Sequence, residues 1–166
     1  LLSAEKPVLY VGWGARRARE DLVRLAEALG APVVTTLQGV ATFPHDHPLH
    51  AGFCFGPAAV PSAREAAEGH DAMLAVGARF GEIATGSFGI DPPRNLVHVD
   101  IDPAVIDRNY PARIGLVGDA AGTVPIIAHR RPRERAVTGE AELAAGGALG
   151  TLVDHLADRF GITRVA

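Results

Sequence analysis

The sequence predicts an α/β fold, built on a doubly wound, mainly parallel sheet of five to six strands with helices on both faces. Three observations predict it. Short apolar runs alternate with stretches of helical period along most of the chain. The runs are apolar at successive positions, as strands covered on both faces must be. Gly or acidic residues follow one run after another, as they do where strands open into turns. Right-handed crossovers then make the architecture Rossmann-like.

The elements follow in order. "KPVLYVGWGA" holds a buried strand, Val8 to Val11, between Pro7 and Gly12. "RRAREDLVRLAEALG" is a helix, with Leu22, Leu25, Ala26 and Leu29 on one face and Gly30 as its stop. "APVVTT" is the second strand. Residues 37–57 carry several Gly and Pro and no clear period, so they are expected to form a long, functional loop with at most a short turn of helix. "AAVPSAREAAEG" is a helix interrupted or started at Pro61. "DAMLAVG" is the third strand and "ARFGEIATGSFGIDPP" a loop. "NLVHVDID" is the fourth strand, "PAVIDRN" a helical turn, "RIGLVGD" the fifth strand and "AAGTVPIIAHR" a short helix. Residues 1–130 therefore read as one domain. Residues 131–166 read as a polar linker, "RPRERAVTGE", and a last helix over 141–160 that Gly146 and Gly147 weaken.

Composition narrows the function. Of 166 residues, 48% are hydrophobic, enough for a sizeable core, and the formal charge of −3 argues against a nucleic-acid binder. No apolar run approaches the roughly 20 residues that span a bilayer, and no signal peptide is visible. Cys54 is the single cysteine, so an internal disulfide is impossible and a reducing, cytoplasmic setting is expected. The chain opens on Leu1 rather than Met, as a segment of a longer protein would.

In a doubly wound sheet, ligands bind at the carboxyl ends of the strands. Candidate contacts lie at each such end: Gly12 and Gly14, Thr36 and Leu37, Gly77 and Arg79, Asp100 and Ile101, and Asp119. Backbone N–H groups would meet phosphate, Arg79 would supply a cation, and Asp100 would accept from ribose hydroxyls. Each feature has a plainer reading beside it. Gly12-x-Gly14 lacks the third glycine of a dinucleotide fingerprint, because Arg17 stands there. Asp102 before Pro103 suits an N-cap. No third ligand completes a metal site with Asp100 and Asp102. The histidines of "HDHPLH" (45–50) lie in a Pro-bounded loop, so no metal site is expected there either. Cys54 has no base beside it in sequence and reads as a structural thiol. Arg130, Arg131, Arg133 and Arg135 read as a solvated linker.

The ordered set "KPVLYVGWGA", "LAEALGAPVVTTLQGVATFPHDHPLHAG", "DAMLAVGARF", "LVHVDIDPAVIDRN" and "VGDA" resembles the central domain of thiamine-diphosphate-dependent enzymes, especially the acetolactate synthase large subunit, over about residues 5–128. The resemblance implies a parent enzyme of branched-chain amino acid biosynthesis that decarboxylates a 2-keto acid such as pyruvate and transfers the two-carbon unit to a second keto acid. It implies thiamine diphosphate and Mg held by other domains, which residues 131–166 would lead toward, and a homo-oligomer. It places FAD or ADP, or no ligand, against Gly12, Gly14, Thr36, Leu37, Gly77, Arg79, Asp100, Ile101 and Asp119. No catalytic residue is implied in these 166 residues, so the isolated chain is expected to be inactive. The sequence departs from the family at three flavin contacts. "GFCFG" replaces "GMHG", "RFGEI" with Gly81 and Ile83 replaces "RFDDR", and Val105 replaces an acid after "DIDP". A stand-alone nucleotide-binding module without catalysis is the alternative. A third reading, an NAD-dependent deacylase on a similar sheet, lacks a catalytic histidine in a recognisable loop.

Overall fold

The structure is a computed structural model that describes residues 1, 4–53, 56–129 and 163–165. They form one seven-stranded sheet. In chain order its strands are β1 (Pro7–Val11), β2 (Val33–Thr35), β3 (His50–Phe53), β4 (Ala72–Val76), β5 (Asn95–Asp100), β6 (Ile114–Val117) and β7 (Thr163–Val165). Across the sheet the order is β3-β2-β1-β4-β5-β6-β7. Strands β1 to β6 run parallel, and β7 pairs antiparallel with β6. The chain winds outward from β1 through β2 to β3, then returns to lay β4 beside β1 and winds outward the other way. This is the doubly wound α/β fold that the sequence predicts.

The sheet has two strands more than the five picked out from the sequence. His50–Phe53 lies in the stretch expected to be loop. All four of its residues are half-buried, and its pairing to β2 shifts register at Val33/Val34. Pairing with β2 creates this strand; its own pattern does not. Thr163–Val165 lies beyond the expected last helix, which itself falls outside the described residues along with the 131–140 linker, the four arginines from 130 to 135, and Cys54.

The remaining elements sit close to expectation. A 3-10 segment, Trp13–Ala18, precedes α1 (Arg19–Leu29), so the first predicted helix is split in two. Gly30 ends α1 in the left-handed conformation, its N–H bonded to the Glu27 carbonyl at 3.2 Å. Helix α2 (Pro61–Ala67) starts with Pro61 at its first position, where the missing N–H costs nothing. Helix α3 (Ala120–His129) follows β6. Residues 103–107 form turns and no helix.

Each face of the sheet carries a core. Along β1, Leu9 and Val11 point into one, with Leu22 and Leu25 of α1 and Val124 of α3. Val8 and Tyr10 point into the other, with Ala63 of α2. This is why the run reads as continuously apolar. On the second face the segment between β4 and β5 does the covering that a helix would do. It buries Phe80, Ala84 and Ile90, and the Tyr10 hydroxyl donates to the Ala84 carbonyl at 2.8 Å. At the opposite end of the sheet, Asp71 ties β4 to the lead-in of β1. Its carboxylate accepts the Glu5 and Lys6 N–H groups at 2.8 and 2.9 Å, and these bonds hold its pKa below the usual carboxylate value.

The two halves of the sheet meet where β1 and β4 end side by side. A Cβ built on Gly12 would lie 2.1 Å from the Gly77 carbonyl oxygen, and one on Gly77 would lie 2.5 Å from the Ala15 nitrogen. Gly77 is also left-handed, with φ of 58°. Neither position has room for a side chain. Replacing Gly12 with Ala should therefore cost about 3 kcal/mol, at the upper end for overpacking. Gly30→Ala should cost only about 1 kcal/mol, because its φ of 59° is strained for Ala but nothing lies within 4 Å of the new methyl group. Urea denaturation of the two variants checks the contrast; equal costs would show that the glycine contact is soft.

Candidate functional site

The carboxyl ends of β2, β1, β4, β5 and β6 are joined by at least one backbone hydrogen bond per neighbouring pair beyond the strands themselves. Thr36 N–H donates to Val11 at 2.9 Å, Gly12 to Val76 at 2.9 Å, Gly77 to Val99 at 2.8 Å and Gly118 to Asp100 at 2.9 Å. The result is a continuous ledge. All nine candidate residues lie on it or in the turns that leave it: Gly12, Gly14, Thr36, Leu37, Gly77, Arg79, Asp100, Ile101 and Asp119.

Their chemistry differs. The Gly12 and Gly14 N–H groups are already bonded, the second to the Gly77 carbonyl at 3.1 Å. These glycines allow two strand ends to touch, and their amides are not open donors. Thr36 is buried, and its hydroxyl accepts the Gly39 N–H at 2.9 Å. Asp119 caps α3 by accepting the Ala121 N–H at 3.1 Å. Leu37 and Ile101 are exposed apolar side chains, and Arg79 is exposed. Asp100 is the one buried carboxylate among the described residues, 7% exposed. One of its oxygens accepts the Asp102 N–H at 3.0 Å, and Asp102 in turn caps the next turn through Ala104. The other Asp100 oxygen accepts no hydrogen bond among the described residues.

Beneath Asp100, on the same face of β5, lies His98, which the sequence analysis passed over. The signal was present: it is the single non-acidic polar residue within "LVHVD". It is 1% exposed, set edge-on to Phe80, with Nε2 2.9 Å from the Ala78 carbonyl. That carbonyl requires Nε2 to carry the proton. Nδ1 has no partner. Burial lowers the His98 pKa from the ordinary value of 6.5, against opposing pulls from the Ala78 hydrogen bond and the Asp100 and Asp107 charges.

The loop histidines do not converge on a point. His47 and His50 pack around the buried Phe43 ring, and His47 pairs with Glu27 at 3.3 Å. Among the described residues no three His, Cys, Asp or Glu side chains group as metal ligands, and no helix is long and apolar enough to cross a membrane. A cleft of about 560 Å³ that the sequence did not suggest runs along α2, lined in part by Arg64, Glu68, His70 and Asp91.

With this ledge and sheet order established, comparison with known proteins is decisive. The model of the thiamine pyrophosphate enzyme central domain matches residues 1–127. The chain belongs to that family. It is 42% identical over 120 residues to the acetolactate synthase large subunit of Corynebacterium glutamicum, covering 70% of this chain and 19% of the relative. It is 41% identical over 123 residues to a probable acetolactate synthase large subunit of Methanocaldococcus jannaschii, covering 72% and 21%. It therefore spans about a fifth of the length of these relatives. Among solved structures, a Mycobacterium smegmatis protein assigned as a thiamin diphosphate-dependent enzyme superposes with a TM-score of 0.61 at 26% identity, over 82% of this chain and 27% of that one.

In this central domain, protonating His98 would put a second N–H into a core that offers Nδ1 no acceptor. Between the unfolded histidine value and the lower folded one, the unfolded chain binds more protons, so stability falls as pH drops below about 6.5. His50, also lowered by burial first and then by His45, acts in the same direction. Thermal midpoints should fall from pH 7 to pH 5, and His98→Gln should flatten that slope without removing it. A slope unchanged by the substitution would locate the titration elsewhere.

Proposed function

We propose that this chain is the central, scaffolding domain of a thiamine-diphosphate-dependent enzyme of the acetolactate synthase type, and that its strand-end ledge holds the adenosine diphosphate portion common to FAD and ADP. The parent reaction is decarboxylation of a 2-keto acid such as pyruvate and transfer of the two-carbon unit to a second keto acid. Identity near 40% to acetolactate synthase large subunits across the domain supports this reading. Thiamine diphosphate supplies the carbanion chemistry when bound, with Mg, in domains other than this one. The parent is read as a cytoplasmic homo-oligomer in which this domain contacts other domains and subunits.

The observation that carries the nucleotide reading is Asp100. A buried carboxylate with one unengaged oxygen, at a strand end beside the topological switch point, is suited to accept from ribose hydroxyls. The neighbouring residues fit a nucleotide better than a flavin ring. Val105, in place of an acid, is buried, and Ile83, in place of an arginine, is 65% exposed and apolar. Neither supplies the polar group that a flavin ring contact would use: Val105 is packed into the core, and Ile83 presents only apolar surface.

Asp100→Ala should weaken ADP or FAD binding to the full chain by about 1–3 kcal/mol, the range for hydrogen bonds to a charged acceptor. Calorimetric titration measures it. Unchanged affinity with a lower melting temperature would assign Asp100 to structure alone. Acetolactate formed from pyruvate by these 166 residues unaided would overturn the scaffolding role.

A further inference from the structure

We infer that Arg16, held over the Trp13 ring, is the cation that receives the diphosphate of a nucleoside diphosphate on this ledge. The inference rests on the nucleotide reading of the ledge and adds to it the group that recognises phosphate. Three observations carry it.

The first is the state of the glycine turn. Phosphate at a strand-to-helix turn is ordinarily met by free backbone N–H groups. Here the Gly12 and Gly14 amides donate to the Val76 and Gly77 carbonyls, at 2.9 and 3.1 Å. The Ala15 amide donates to Gly12 at 3.1 Å. With these three amides of the turn engaged, most of the charge of a diphosphate at this position falls to a side chain.

The second is Trp13. It stands between the two glycines, at the end of β1 and therefore at the switch point, yet 54% of its surface is exposed. Its backbone is fixed, because both flanking glycines are packed against Gly77. A large aromatic group is thus held at the strand-end ledge with part of its surface open.

The third is Arg16. Its guanidinium carbon lies 5.0 Å from the Trp13 ring centroid. A cation over the ring is attracted by the π face and keeps its edge N–H donors free for an anion. Arg16 has no ion-pair partner among the described residues. Arg17, the next residue, is exposed and is not placed over the ring.

Spacing agrees with this assignment. β1 and β5 are separated by β4 alone, so their ends lie about 10 Å apart at the usual strand spacing. A ribose 5′-diphosphate with its hydroxyls on Asp100 bridges that span and brings its phosphates to Trp13 and Arg16.

The test compares ADP with adenosine on the full chain, by calorimetry and by the emission of Trp13, the chain's single tryptophan. ADP should bind at least about tenfold more tightly than adenosine, the contribution of a charge-assisted contact, and should change Trp13 emission saturably. Arg16→Gln should bring the ADP-to-adenosine ratio close to one and leave adenosine affinity unchanged, while Arg17→Gln keeps the ratio. Trp13→Leu should lower ADP affinity several-fold by loosening Arg16. It provides a second route should Arg16→Gln fail to fold by circular dichroism. A ratio that survives Arg16→Gln, or that is lost instead in Arg79→Gln, would overturn the Arg16 assignment and leave the nucleotide reading of the ledge standing. A folded chain that binds neither ADP nor adenosine would overturn both.

Discussion

The contact on which the rest of the structure depends is the meeting of Gly12 and Gly14 with Gly77. Two chain segments leave neighbouring parallel strands at the point where the sheet changes its direction of winding. They touch backbone to backbone, with no space for a Cβ on either side. In most doubly wound sheets this gap is the crevice where a ligand enters. Here main chain closes its floor. The closure fixes where Trp13 stands, takes up the amides that a phosphate would otherwise use, and joins the two halves of the sheet through the Gly12–Val76 hydrogen bond. One packing constraint therefore sets both the rigidity of the ledge and the chemistry available on it.

The centre of the sheet was legible in the sequence, and its edges were not. β1 and β4 are buried at every position, so their composition alone marks them as strands. β3 is different. "HAGF" has no alternation and no β-branched residue, and only the edge of β2 makes it a strand. β7 is three residues long and pairs with β6 from far along the chain. Such strands exist because a partner edge is unfilled, and that information is not local. The split of the first helix has a similar origin, because the backbone contact at Gly14 precedes the first full α-helical turn.

The candidate site was legible by position more than by role. Strand-end residues were correctly placed along one edge, because a parallel α/β sheet puts every such turn on the same side. What each residue does there depends on partners that spacing does not reveal. Asp119 spends one oxygen on its own helix, Thr36 turns its hydroxyl to Gly39, and the glycine amides face carbonyls. Asp100 alone combines burial with an oxygen left over. His98 escaped notice because a histidine among valines gives no periodic signal, although it is one of the most deeply buried polar groups among the described residues.

His98 and Asp100 also link the ledge to the core beneath it. They share one face of β5, and the carboxylate charge favours the imidazolium that burial opposes. A neutral His98 leaves Asp100 without a full positive charge beside it. The carboxylate then keeps its capacity to accept hydrogen bonds instead of collapsing into an internal ion pair. Phe80 completes the arrangement by packing edge-on to His98, and Asn109 anchors the Phe80 carbonyl at 3.0 Å. Apolar packing around a histidine whose charged form burial disfavours thus leaves the strand-end acid above it without an internal charge partner. Converting that histidine to a permanently charged residue would be expected to alter the ledge even though the residue lies outside it.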